Sequence, residues 1–220
     1  MTATRARARL VVFDLDGTLV DSSQDLAAAV NRALQRAAPG ARLLAEDLVR
    51  SFIGSGARVL ITRSVAQAGL TQSVDEVLPV FLEEYARGLL DATRLYPGAT
   101  EALDRLRDRP LAVLTNKPGD MSRTILEGLG VKDRFFRIYG AGDVDGRKPD
   151  PAGLRRIAEE AGVDAEAAVM VGDSAIDVRT GRAAGALTAG VTYGFDAPSF
   201  RDDPPDLLVS SLTELADRLA

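Results

Sequence analysis

The sequence predicts an α/β fold whose core is a Rossmann-like parallel sheet and which carries an inserted, all-helical cap domain. Short, mostly apolar segments alternate with longer helical ones, which is typical of a parallel sheet covered by helices on both faces. This alternation stops over residues 21–95, where the apolar residues follow helical spacing. The length of 220 residues allows one such core with a smaller domain inserted into it.

Six segments have the length and the apolar composition of strands that are buried on both faces. They cover residues 9–13, 111–114, 137–139, 168–171, 186–191 and 207–209. Polar residues stand at or just beyond the carboxyl ends of three of these strands: Asp14, Thr115 and Asp173. Open α/β sheets bind ligands at this edge, so we expect the three side chains to converge on one site.

The inserted segment is predicted to contain three or four helices and no strand. Three of them are located at residues 22–37, 56–68 and 73–90. Pro39-Gly40 follows the first helix, Gly69 ends the second, and Tyr96-Pro97-Gly98 forms a turn that leads back to the sheet. We therefore assign residues 1–20 and 96–220 to the core domain and residues 21–95 to the cap domain.

The composition excludes several classes of enzyme. The chain has neither histidine nor cysteine. It therefore has no Ser-His-Asp triad, no histidine or thiolate nucleophile, no disulfide and no zinc site of the usual nitrogen and sulfur kind. Any catalysis has to use oxygen nucleophiles, lysine or arginine, and an oxygen-ligated metal such as Mg²⁺.

The charge and hydropathy patterns predict a cytoplasmic protein with no nucleic-acid or membrane partner. A net charge of −5 argues against a general nucleic-acid binder, which displays a basic face. The longest apolar runs have five residues, whereas a membrane-spanning helix needs roughly 20. The apolar segment after the arginine-rich residues 1–9 is too short for a signal peptide.

The strongest motif follows the first predicted strand. Asp14 and Asp16 are two residues apart, and extended spacing points both carboxylates the same way. A turn that contains Asp16-Gly17 is the purely structural interpretation. The segment Asp14-Leu15-Asp16-Gly17-Thr18 also resembles the first motif of the haloacid dehalogenase superfamily of phosphotransferases.

Three further segments resemble the other motifs of this superfamily, in the same order along the chain. Thr115-Asn116-Lys117-Pro118 follows a strand, and Lys148 lies in a Gly-Arg-Lys-Pro-Asp-Pro turn. Gly172-Asp173 begins an acidic segment that extends to Asp177. The resemblance spans the whole chain and implies the haloacid dehalogenase (HAD) fold.

The resemblance implies a phosphatase that uses Mg²⁺ and an aspartyl-phosphate intermediate. Asp14 would be the nucleophile, and Asp16 would protonate the leaving alkoxide and then deprotonate the attacking water. The metal would be held by Asp14, the main-chain carbonyl of Asp16, and Asp173. Asp177 would hold a metal-bound water or orient Lys148, and capping of a helix N-terminus is the alternative for this carboxylate.

Other motif residues would bind the phosphoryl group. The Thr115 hydroxyl and the Asn116 main-chain amide would hold phosphoryl oxygens. Lys148 would neutralise developing charge and restrain Asp14. Lys117 either faces the cleft as a substrate-binding residue or lies on the surface.

The cap offers Gly54, Gly56 and Arg58 as further substrate-binding candidates. The two glycines form either a substrate-facing loop or simply the start of a helix. Arg58 either binds a substrate carboxylate or lies on an exposed helix face. Residues 52–60, 95–98 and 115–118 are most similar to the phosphoglycolate phosphatase branch of the superfamily. The resemblance therefore implies 2-phosphoglycolate, a small phosphorylated metabolite, as the substrate of a monomer or homodimer.

Several alternatives stay open at this point. Asp16 favours phosphate esters, because relatives that cleave other bonds have no aspartate there. The substrate could still be a sugar phosphate, a nucleotide or pyrophosphate. A phosphotransferase like β-phosphoglucomutase would use the same residues. A phosphorylated receiver domain also combines acidic residues, Thr and Lys around Mg²⁺, but it lacks a helical insertion after its first strand. An inactive binding protein on the same fold is the last alternative.

Overall fold

A six-stranded parallel sheet forms the centre of the computed structural model, which describes residues 8–219. The described residues form eight strands, six in this sheet and two, β2 and β3, in a separate pair. They are β1 (Leu10–Phe13), β2 (Val20–Asp21), β3 (Arg94–Leu95), β4 (Leu111–Pro118), β5 (Arg137–Ala141), β6 (Ala168–Gly172), β7 (Leu187–Val191) and β8 (Leu207–Val209). The order in the large sheet is β5-β4-β1-β6-β7-β8. All six predicted strands lie in it, so the predicted α/β fold class is confirmed. Residues 1–7 and 220, which we assigned to the core, lie outside the described residues.

The central strand β1 is buried on both faces because helices cover both sides of the sheet. Val11 and Phe13 belong to one apolar cluster, and Leu10 and Val12 belong to the cluster on the other face. This alternation follows from the two-residue period of a strand. It explains why β1 appears in the sequence as a continuous apolar run.

The described residues form nine α-helices. They are α1 (Ser23–Ala37), α2 (Glu46–Arg50), α3 (Ala57–Ala68), α4 (Val74–Arg87), α5 (Ala99–Arg105), α6 (Gly119–Gly128), α7 (Ala152–Glu160), α8 (Ala175–Ala184) and α9 (Leu212–Leu219). Helices α1 to α4 follow one another between β2 and β3, where the insertion is predicted. No helix within residues 8–219 combines the length and apolar character needed to cross a membrane.

The ends of the inserted helices follow local sequence signals. Helix α4 begins with a capping box in which the Ser73 main-chain N–H donates to the Glu76 carboxylate at 2.8 Å. Helix α3 ends at Gly69, as predicted, in the left-handed conformation. The predicted end of α4 at residue 90 is wrong: the helix ends at Arg87, because Gly88 is a poor helix former and its N–H bonds only three residues back, to Tyr85.

Two short elements of the insertion differ from the prediction. Strands β2 and β3 form an antiparallel pair in which Val20 faces Leu95 and Asp21 faces Arg94. The expectation of no strand over residues 21–95 is therefore wrong at both ends of that range. The five-residue helix α2 is the fourth helix of the insertion, and its position was not predicted. Elements of two to five residues are too short to show a hydrophobic period.

Candidate active site

Sheet register brings three of the predicted site residues to one edge. Phe13, the last residue of β1, pairs with Val113 on one side and with Val171 on the other. The next residues along these strands lead directly to Asp14, Thr115 and Asp173, all of which are buried. The predicted convergence at the carboxyl ends of the strands is therefore present.

Three buried carboxylates form an acidic cluster: Asp14, Asp173 and Asp177. Each offers an oxygen, and these oxygens lie within 4.8 Å of one another. Burial raises the pKa of Asp14 to about 6. The Lys148 ammonium opposes this rise, and the Asp177 carboxylate adds to it. Burial, followed by the Asp177 and Asp14 carboxylates, holds the pKa of Asp173 well above its ordinary value. Such a cluster of oxygen donors suits a hard divalent cation, which would relieve the repulsion.

Lys148 links two members of this cluster. Its Nζ lies 2.8 Å from Asp14 Oδ1 and 2.6 Å from Asp177 Oδ1. The second oxygen of Asp177 accepts a hydrogen bond from the Ser174 hydroxyl at 2.8 Å, at the start of α8. Asp177 therefore both contacts Lys148 and caps the helix, two alternatives that the sequence left open.

Two loops enclose Asp173. The Phe195 main-chain N–H donates to Asp173 Oδ2 at 2.6 Å. On the other side, a Cβ at Gly17 would lie 2.1 Å from the same oxygen, and Gly17 has a φ of +81°. Only glycine fits both constraints without strain, so Gly17 allows the Asp14–Asp16 turn to approach Asp173. The contact with Phe195 was not predicted, because nothing local in that loop marks it.

Asp16 points to a separate set of partners. Lys117 Nζ lies 2.8 Å from each of its carboxylate oxygens, and the Ser22 hydroxyl donates to Oδ1 at 2.6 Å. Lys117 is buried, so it lies in the cleft and not on the surface. Lys117 Nζ also donates to the Tyr85 hydroxyl at 2.7 Å. Sequence reasoning missed Tyr85 and Ser22. The available signal for Tyr85 was its hydroxyl group, on a side chain that lies among the apolar residues of the buried face of α4.

A cavity lies between the sheet edge and the inserted helices. The sheet side is lined by Asp14, Asp16, Thr115, Asn116, Lys117 and Pro118, and the helical side by Leu26, Ile53, Gly54, Gly56, Ala57, Leu60, Phe81, Leu82 and Tyr85. Charged and polar groups thus face a mostly apolar wall. This distribution is typical of a site that fixes a small polar ligand and excludes water.

The cap candidates differ in their relation to this cavity. Gly54 and Gly56 line it, and Asn116 Nδ2 donates to the Gly54 carbonyl at 3.1 Å. The same Asn116 amide donates to the Lys148 carbonyl at 3.0 Å, so this side chain joins the loop to the sheet edge. Arg58 is not among the lining residues; it forms an exposed ion pair with Asp75 at 2.7 Å. Its role toward substrate stays a prediction.

Over most of its length the chain is similar to known proteins of one family. Residues 11–191 match the family model described as haloacid dehalogenase-like hydrolase. The chain is 42% identical to a phosphoglycolate phosphatase of Cereibacter sphaeroides, over 95% of this chain and 96% of that one. A phosphoglycolate phosphatase of Rhodospirillum rubrum is 40% identical over 85% of this chain and 80% of its own.

A solved structure gives the same result for the fold. The crystal structure of a predicted phosphoglycolate phosphatase from Haemophilus somnus superposes with a TM-score of 0.90 and 31% identity. The superposition covers 97% of this chain and 99% of that chain. The similarity therefore includes both the sheet and the inserted helices.

Proposed function

This chain belongs to the haloacid dehalogenase-like hydrolase family, and we propose that it is a magnesium-dependent phosphatase that hydrolyses 2-phosphoglycolate. One observation carries the proposal: the Asp14 carboxylate, held by Lys148, lies in an acidic cluster beside a cavity into which Asp16 also projects. The names of the similar proteins from Cereibacter sphaeroides and Rhodospirillum rubrum support the choice of substrate.

The residues present fit a magnesium ion. Asp14, Asp173 and Asp177 supply closely spaced oxygens, and the main-chain carbonyl of Asp16 is the further proposed ligand. Bound there, Mg²⁺ would offset the negative charge that otherwise keeps a phosphate dianion away from a carboxylate nucleophile. Asp177 would hold a metal-bound water, since its two oxygens also contact Lys148 and Ser174.

The chain's own residues divide the chemistry into two steps. A carboxylate oxygen of Asp14 attacks phosphorus, the bond from phosphorus to the ester oxygen breaks, and protonated Asp16 donates its proton to that oxygen. Water then attacks the phosphorus of the aspartyl-phosphate, and ionised Asp16 takes up a water proton. The bond from phosphorus to the Asp14 oxygen breaks, which gives inorganic phosphate and restores the Asp14 carboxylate. Lys148 and Thr115 would stabilise the charge on the transferring group.

The helices of residues 21–95 would act as a cap over this chemistry. Their apolar side chains Leu26, Leu60 and Phe81 line the cavity opposite the carboxylates. Excluding water there strengthens the electrostatic interactions that hold the phosphoryl group. The proposed domain boundary falls at the β2–β3 pair, where the chain leaves the sheet and returns to it.

The substrate's own carboxylate would be met by the loop at Gly54 and Gly56. Gly56 and Ala57 bring the N-terminus of α3 to the cavity, where free main-chain N–H groups favour an anion. Compared with ethyl phosphate, 2-phosphoglycolate should have a kcat/KM at least about tenfold higher, since a hydrogen bond to a charged group contributes about 1.5–3 kcal/mol.

A panel of phosphate monoesters, assayed with Mg²⁺, checks this preference. Equal kcat/KM for these two substrates would contradict the choice of 2-phosphoglycolate and leave a phosphatase for another ester. Under the proposal, Arg58→Ala lowers kcat/KM for 2-phosphoglycolate more than for ethyl phosphate, whereas Arg63→Ala on the same helix changes neither. An unchanged ratio in Arg58→Ala would restrict the contact to the main chain of the loop.

Asp16→Asn should reduce turnover in proportion to the leaving group's need for a proton. Acid-base catalysis contributes about 10²–10⁴-fold, so a loss of this size is expected with 2-phosphoglycolate. With p-nitrophenyl phosphate, whose leaving group needs no proton, the loss of kcat/KM should be at least about tenfold smaller. Steady-state kinetics on both substrates make the comparison, and equal losses would remove Asp16 as the general acid.

A further inference from the structure

The proposed general acid and base is held by a chain of buried side chains that reaches from the sheet to an inserted helix. Lys117, at the end of β4, donates to both Asp16 oxygens at 2.8 Å. The same ammonium donates to the hydroxyl of Tyr85 on α4 at 2.7 Å and lies 4.6 Å from the centre of the Tyr85 ring. Asp16, Lys117 and Tyr85 also line the same cavity.

We propose that Lys117 and Tyr85 are positioning residues for Asp16, and that α4 must lie against the sheet for Asp16 to transfer its proton. The proposal rests on the function proposed above, since it concerns the same proton transfer. It gives Lys117 a role that acts through Asp16 instead of through direct substrate contact.

The three hydrogens of the Lys117 ammonium group match its three acceptor atoms. An ammonium group has three hydrogens, and here two go to the Asp16 carboxylate and one to the Tyr85 hydroxyl. With its direction fixed from both sides, Lys117 restricts the Asp16 carboxylate to one orientation at the cavity. Ser22, which donates to Asp16 Oδ1 at 2.6 Å, adds a third restraint. General acid-base catalysis depends on this kind of fixed geometry.

Tyr85 is itself rigidly held. Its ring is buried and stacks on Phe81, one turn earlier on α4, with a centroid distance of 5.8 Å and an interplanar angle of 6°. A hydroxyl on such a ring has little freedom, so its position follows that of the helix. Movement of α4 away from the sheet would take the hydroxyl from Lys117 and loosen the orientation of Asp16.

The contacts of this group fit the ionised form of Asp16, which is the form that takes up the water proton in the second step. Burial by itself would lower the pKa of Lys117, but the Asp16 carboxylate and the Tyr85 hydroxyl together outweigh burial and hold that pKa above its ordinary value. Burial raises the pKa of Tyr85 to about 12, so its hydroxyl stays neutral and can accept the lysine's hydrogen bond. Lys117 is thus charged and Tyr85 is uncharged at the pH of the cell.

Two variants and two matched controls test the proposal in the full chain with Mg²⁺. Lys117→Met should lower kcat/KM for 2-phosphoglycolate about 100-fold, and Tyr85→Phe, which removes one oxygen, about tenfold. Both losses should be several times smaller with p-nitrophenyl phosphate. The controls Lys132→Met and Tyr139→Phe change residues that pair with Glu127 and Glu160, outside the cavity lining, and should leave both rates unchanged.

A double-mutant cycle separates positioning from a structural role. In the Asp16→Asn background, Lys117→Met and Tyr85→Phe should each change kcat/KM by less than about twofold, because the group they position no longer transfers a proton. Full, independent losses in that background would overturn the proposal and return Lys117 to substrate binding. Wild-type rates in Tyr85→Phe would also overturn the positioning proposal, and they would leave the proposed phosphatase function unaffected. An inactive wild-type chain would instead contradict the proposed function itself.

Discussion

Asp14→Asn is expected to abolish turnover, with a fall in kcat of about 10⁴-fold or more. An amide is a very poor nucleophile, and the change also removes one oxygen of the acidic cluster. Steady-state assays with 2-phosphoglycolate and with p-nitrophenyl phosphate should both show this loss, because the step is common to all substrates. Turnover near the wild-type rate on either substrate would remove Asp14 as the nucleophile.

The same variant should remain folded. The folded-state pKa of Asp14, about 6, lies above the ordinary value of 3.8, so ionisation of Asp14 destabilises the wild-type fold. The wild-type fold keeps its full stability below the ordinary pKa of Asp14 and loses part of it as the pH rises to about 6. Asparagine cannot ionise, so the variant does not lose this part. In EDTA, Tm of Asp14→Asn relative to wild type should therefore increase between pH about 4 and pH about 7. A large fall in Tm would attribute the lost activity to unfolding.

Removal of divalent metal should abolish activity almost completely. Asp14, Asp173 and Asp177 place three carboxylates together, and without a cation they repel a phosphate dianion. Exhaustive EDTA treatment should reduce turnover to background, and Mg²⁺ should restore it. Ca²⁺ should inhibit, because it accepts six to eight oxygens at longer distances and would engage both oxygens of the nucleophile.

Two controls sharpen the metal experiment. Mg²⁺ should raise the Tm of wild type more than that of Asp173→Asn, since binding to the native state stabilises it. Asp206→Asn changes a carboxylate that lies outside the cluster and should leave the Mg²⁺-induced shift intact. Full activity after EDTA would contradict the metal assignment and with it the roles of Asp173 and Asp177.

The sheet could be predicted well because each of its strands carries a strong local signal. Strand β1 is a continuous apolar run that ends at Asp14, and β6 is another that leads to Asp173. Burial on both faces imposes this pattern, so the sequence alone located all six strands. The β2–β3 pair and α2 were missed because elements this short depend on tertiary contacts and not on a period of their own.

The site was predictable where its residues follow strand ends and not where they arrive from other segments. Asp14, Thr115 and Asp173 are adjacent to strands that pair in the sheet, so topology alone brings them together. Tyr85 reaches Lys117 from an inserted helix, 32 positions away in sequence. Such a contact depends on how the helices pack over the sheet, which neither spacing nor composition specifies.

For Arg58, the sequence predicted the position of the residue but not the contact of its side chain. The sequence places it in the first turn of α3, beside the glycine loop, where a substrate carboxylate could meet it. In the structure the long side chain pairs with Asp75 on the exposed side of the helices. The backbone position was foreseeable, but the direction of a flexible side chain depends on which carboxylate lies nearest.

Trapping the covalent intermediate tests the central claim most directly. The wild-type enzyme is mixed with excess 2-phosphoglycolate and Mg²⁺, quenched during turnover, and treated with borohydride, which reduces an acyl phosphate to an alcohol. Peptide mass spectrometry should then find homoserine at position 14, with none in a sample that lacks substrate. Continued phosphate release with an unmodified Asp14, or a modified residue elsewhere, would contradict nucleophilic attack by this carboxylate.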